Sequence, residues 1–192
     1  MELSRRDFLR STAAFAAVAG VLGTGSIAFA ADADENCIVH VAADSRNDIA
    51  KRFKAEKSGN LEYCAYNPRR YHPTLTGKLP LIVFLHGEDG KGENGTQLLA
   101  NDGATFYVSE TMIQKNPTYL IAPQCPGDNW TDPETVATVK KMIDDYVAAH
   151  RVDRDRIYIE GMSMGGTGVW NMLFTYPNFF AAAIPMCGKV PA

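Results

Sequence analysis

Between Leu61 and Met186 the chain switches between two hydrophobic patterns: short unbroken apolar runs, and longer stretches where apolar residues return every three or four positions. Leu81-Ile82-Val83-Phe84-Leu85 and Tyr119-Leu120-Ile121-Ala122 are runs of the first kind, which predicts strands buried on both faces. Leu61 to Tyr66 alternates and then meets Asn67-Pro68, so it reads as a strand ended by the proline. Ile157-Tyr158-Ile159 and Ala181 to Met186 add two more strands. The clearest helix opens at Asp132-Pro133-Glu134, with a capping acid, proline at the first helical position and an early carboxylate. Val136, Val139, Ile143 and Val147 then form one apolar stripe. A second helix is expected near Gly166 to Thr175, an irregular helical stretch over Gln97 to Ile113, and a short polar helix over Asp48 to Lys57. Two-faced strands alternating with helices predict an α/β fold, a mostly parallel sheet flanked by helices.

The first thirty residues carry a different pattern. Ser4-Arg5-Arg6-Asp7-Phe8-Leu9-Arg10 matches the twin-arginine export pattern S-R-R-x-F-L-K, with Arg in the final place. An uncharged stretch from Ser11 to Ala31 follows, and Ala28-Phe29-Ala30 offers a small-x-small cleavage site ahead of Asp32-Ala33-Asp34-Glu35. Residues 1–30 are therefore expected to engage the twin-arginine translocase and be removed. That would leave residues 31–192 as one periplasmic or extracellular domain without stable membrane association. A retained N-terminal anchor is the other reading of the same stretch.

Composition narrows the function classes. The 192 residues suit one domain, and 46% hydrophobic with 21% charged residues is the balance of a folded globular protein. Lys+Arg 19 against Asp+Glu 22 leaves a net charge of −3, with no basic run to face a nucleic acid. Cys37, Cys64, Cys125 and Cys187 form no C-x-x-C pair, and the histidines do not cluster, so neither a metal nor a dithiol centre is expected.

The chemistry gathers at one strand end. Ile157-Tyr158-Ile159-Glu160 runs into Gly161-Met162-Ser163-Met164-Gly165-Gly166, a G-x-S-x-G pattern between a strand and a helix. Such a turn holds its serine in a strained conformation with the hydroxyl projecting above the sheet. Ser163 is the candidate nucleophile. An acyl-transfer site also needs backbone N–H groups aimed at the developing oxyanion. Met164 N–H, just after the serine, is one candidate. Glu88 N–H, just after His86-Gly87 at the end of the Leu81–Leu85 run, is the other. His86 itself reads as a brace for that loop rather than as a base. Trp130 reads either as a substrate contact or as core. Trp170, on a helix face with Leu173 and Phe174, reads as core.

The strings PLIVFLHG, YLIAPQCPGDNW, RVDRDRIYIEGMSMGGTGVW and YPNFFAAAIPMCG together resemble the α/β-hydrolase superfamily. Within it they are similar to secreted polyhydroxybutyrate-depolymerase-like, feruloyl and acetyl-xylan esterases and to predicted prolyl-oligopeptidase-type peptidases. The resemblance implies an exported serine hydrolase that cleaves carboxylic esters through an acyl-enzyme on Ser163. It implies no cofactor, and a small ester or an esterified polysaccharide as substrate. A serine peptidase of the same fold and a non-catalytic esterase-like fragment are the alternatives. The superfamily's acid and histidine follow later strands. His40, His72, His86 and His150 all precede Ser163, so neither triad partner has a match here, and the C-terminal strands are expected to be missing from a domain incomplete at its C-terminus. The superfamily's strand order also places Cys125 and Cys187 about 14 Å apart, too far for a disulfide.

Overall fold

The computed structural model describes residues 46–190. The twin-arginine pattern, its cleavage site, Cys37 and His40 lie outside the described residues. Strands β1 (Lys54–Ser58), β2 (Leu61–Tyr66), β3 (Leu79–Leu85), β4 (Tyr119–Pro123), β5 (Val152–Met162) and β6 (Ala182–Met186) form one sheet in the order β1-β2-β4-β3-β5-β6. β4, β3, β5 and β6 run parallel, and β1 and β2 join antiparallel. The helices are α1 (Arg46–Ala50), α2 (Gly103–Phe106), α3 (Glu110–Lys115), α4 (Pro133–Ala149) and α5 (Met164–Thr175). This is the expected α/β fold with a mostly parallel sheet.

The apolar runs become the central strands because they have neighbours on both sides and helices on both faces. All seven residues of β3, between β4 and β5, are buried. Pro80 has no N–H to give the ladder, and the β3–β5 register shifts between Leu79 and Leu81. Leu81, Val83, Leu85, Ile121, Ile157 and Ile159 face one way and pack on α4 and α5. Ile82, Phe84, Leu120 and Glu160 alternate onto the other face, the side of α2 and α3, where Tyr107 bonds Glu160. The predicted stripe on α4 is buried as a unit, and Asp132 caps the helix by accepting from Thr135 N–H at 2.9 Å.

Two local expectations change. Lys54 to Ser58 is an edge strand, not the second half of a helix over Asp48–Lys57. Lys, Ala and Glu favour helix in isolation, but the two-residue turn Gly59-Asn60, with Gly59 at φ 59°, closes a hairpin that pairs Ser58 with Leu61. Trp170 is half-buried rather than core, and it stacks at 6.3 Å on Phe174, which is 62% exposed. Beside them β6 has β5 as its only strand partner among the described residues, and Ala182 to Pro185 are half-buried. Cys125 and Cys187 follow β4 and β6, three strand spacings apart, and both thiols are free.

Candidate active site

β5 ends and α5 begins across a single residue, Ser163, at φ 55° and ψ −114°. A side chain rarely takes this backbone conformation, and it is maintained here from three directions. Ser163 N–H donates to Met186 O at 2.8 Å, and Ser163 O accepts from Thr167 N–H at 3.1 Å. The flanking glycines let the backbones meet. A Cβ on Gly161 would lie 2.5 Å from Gly165 O, and one on Gly165 would lie 1.9 Å from Leu85 O. The first turn of α5 therefore sits directly against the end of β3, and the Ser163 side chain is left exposed. Met164 is the first helical residue of α5, where the N–H has no acceptor within the helix.

The loop after β3 comes to the same place. A Cβ on Gly87 would stand 3.2 Å from Met162 O and 3.6 Å from Ser163 Cβ. Gly87 leads into a short 3-10 turn, Glu88–Gly90, which makes Glu88 N–H another first-turn donor. The structure thus brings Ser163, Met164 and the Gly87-Glu88 peptide together. The Glu88 side chain pairs with Lys91 Nζ at 2.9 Å.

His86 is fully buried, and both ring nitrogens are occupied. Nε2 accepts from Cys125 N–H at 3.0 Å, which leaves Nδ1 to donate to Gly87 O at 2.6 Å. Burial pushes its pKa below the ordinary imidazole range. This is the brace expected from the sequence. Trp130 supplies the next brace: it is 1% exposed, its Nε1 donates to His86 O at 2.9 Å, and its ring meets the His86 ring edge-on. That packing leaves no ring face for a ligand, so of the two readings of Trp130 the structure supports core. His72 and His150 lie in the loops that enter β3 and β5, at the end of the sheet opposite Ser163. His150 stacks on Tyr146 at 4.0 Å. Among the described residues no imidazole is placed to serve the elbow.

Residues 61–190 match the family described as Esterase PHB depolymerase. The chain belongs to this esterase family. It is 28% identical over 144 residues to poly(3-hydroxyalkanoate) depolymerase C of Paucimonas lemoignei, a match covering 68% of this chain and 32% of that protein. Among solved structures it is similar to a thermostable esterase at TM-score 0.68 and 31% identity, over 74% of this chain and 43% of the other. An acetyl xylan esterase from Aspergillus awamori shares the fold at TM-score 0.53 and 18% identity, over 68% of this chain and 50% of its own. The chain spans about a third of the length of the depolymerase it matches.

For this family member the sequence reading missed three buried polar residues behind the site. Glu160, three residues before Ser163, is buried and accepts from Tyr107 Oη at 2.6 Å, while its Oε1 has no hydrogen-bond partner. Burial holds its carboxyl up at about 8. Gln97 and Gln124 are buried beneath the Glu88 loop. Gln124 stands in the family-like string YLIAPQCPGDNW, but one polar letter after a strand carries no signal of its partners.

Proposed function

We propose that this family member is an exported carboxylic-ester hydrolase in which Ser163 is the nucleophile. The observation that carries the reading is the left-handed Ser163 backbone, with Met164 N–H and the Gly87-Glu88 peptide beside it. Ser163 Oγ attacks the ester carbonyl carbon, its proton passing to a histidine of the kind the superfamily places after later strands and from there to the leaving alcohol, and the carbonyl oxygen takes up the charge. Met164 and Glu88 N–H groups stabilise that charge, each donor supplying on the order of 3 kcal/mol in comparable sites. Collapse breaks the carbon–alkoxy bond, the alcohol leaves with a proton, and water then releases the acid from Ser163. His86 does not act as the base, because both its nitrogens hold backbone groups. The substrate proposed is a small ester or an esterified polysaccharide, in keeping with the similarity to polyester and xylan esterases.

The test is fluorophosphonate labelling of the chain joined to a segment that supplies the superfamily's acid and histidine, read by peptide mass spectrometry. Label should appear on Ser163 and vanish in Ser163→Ala, while Ser58→Ala and Ser109→Ala label as the parent does. Undiminished label in Ser163→Ala would refute the assignment.

A further inference from the structure

We propose that Gln124, together with Gln97, is a positioning residue that holds the Glu88 loop in register with Ser163; the inference rests on the reading of that loop as the oxyanion donor. The loop leaves β3 at His86 and returns to a second 3-10 turn, Thr96–Leu98. Between them, loop carbonyls turn inward, where a donor must meet each one or a buried acceptor is stranded. Gln124 Nε2 meets Gly90 O at 3.0 Å and Glu93 O at 3.2 Å. It also reaches Gln97 Oε1 at 3.2 Å. Gln97 Oε1 accepts from Gly95 N–H at 2.7 Å, and Gln97 Nε2 donates to Asn94 Oδ1 at 2.7 Å and to Ala122 O at 3.0 Å. The loop is thereby fastened at Gly90, Glu93, Asn94 and Gly95 to the end of β4.

The same amide couples this network to His86. Cys125 N–H is shared between Gln124 Oε1 at 3.2 Å and His86 Nε2 at 3.0 Å. Gly90 lies against the His86 side chain, where an added Cβ would stand 2.7 Å from His86 Cβ. Displacing Gly90 therefore displaces the turn Glu88–Gly90 and the Glu88 N–H. Gln97 is 0% and Gln124 7% exposed, and burying two amides is costly unless their groups are paired. Apolar side chains would fill this space as well but would leave Gly90 O and Gly95 N–H, whose partners are these two side chains, unpaired. The pairing matters for chemistry because an oxyanion donor acts only when it is fixed before the charge forms.

The experiment uses Gln124→Glu, equal in size but without the amide donors when ionised, with variant and parent both joined to the segment that supplies the acid and histidine. Labelling of Ser163 by a fluorophosphonate is timed from pH 4.5 to 8.5 as a ratio to the parent chain. Amide hydrogen exchange over residues 88–95 is followed by mass spectrometry. Val147→Ala, on the far part of α4, serves as a variant that lowers stability without touching the loop. The expected result is labelling slowed about tenfold or more near pH 8, recovery toward the parent in acid as the carboxyl regains a proton to donate, and faster exchange at residues 88–95. Val147→Ala should label at the parent rate. Parent-like labelling and exchange in Gln124→Glu, or equal slowing in Val147→Ala, would overturn the proposal while leaving Ser163 as nucleophile. An unlabelled parent chain would overturn the reading of the site itself, and unchanged exchange would then overturn the loop-holding role as well.

Discussion

The backbone N–H of Ser163 donates to the carbonyl of Met186 at 2.8 Å, so the elbow hangs on the end of β6 as well as on β5. The contact is close because Gly166, one turn into α5, has no side chain: a Cβ there would lie 2.4 Å from Met186 O and 2.9 Å from Gly188 N. Neither backbone can yield without moving a strand end. Gly166→Ala is expected to destabilise the fold by about 1–3 kcal/mol, read as a lower urea midpoint at unchanged slope. A parent-like midpoint would mean that β6 and α5 are not in this contact.

Glu160 sets a pH dependence. In the unfolded chain this carboxyl titrates near the ordinary 4.5, and burial holds it at about 8 in the fold. Between those values the folded state keeps a proton that the unfolded state has lost. The stability contribution is therefore complete below about pH 4.5, falls as pH rises, and levels off above about 8. Glu160→Gln retains an acceptor for Tyr107 and cannot ionise, so its melting temperature should change less between pH 5 and 8 than that of the parent. An equal change in both proteins would contradict the buried, protonated state.

The apolar surface beside β6 should drive self-association. Phe174 is 62% exposed, Trp170 stacks on it, and β6 offers backbone groups on its outer edge among the described residues. Phe174→Ser removes apolar surface that buries little, at a stability change within about 0.5 kcal/mol. Sedimentation velocity should show less oligomer than the parent at equal concentration. The same oligomer content in both would place the association elsewhere.

Export is proposed from Arg5-Arg6 and Ala28-Phe29-Ala30. Joint replacement Arg5→Lys and Arg6→Lys should hold a tagged chain in the cytoplasm, whereas the parent leaves it and is cleaved near Ala30. Equal export of both chains would refute the twin-arginine route.

The sequence by itself determined the features that rest on neighbours along the chain. Double-faced burial is written in Leu81 to Leu85, and the stripe Val136, Val139, Ile143 and Val147 follows from helical spacing, so the central strands and α4 were legible. The elbow was legible for a similar reason, since glycines flanking a serine between strand and helix describe a local backbone problem and its solution. Only the tertiary structure decided what depends on residues far apart. Lys54 to Ser58 is a strand because β2 lies beside it, despite a composition suited to helix. Trp130 is core and Trp170 half-exposed because His86 and Gly168 close over one, while solvent meets the other. Glu160, Gln97 and Gln124 carry no pattern at all. A polar side chain acquires its role from the buried group it meets, and for these three the partners lie 25 to 53 residues away along the chain, in Tyr107, Ala122, Gly90 and Glu93.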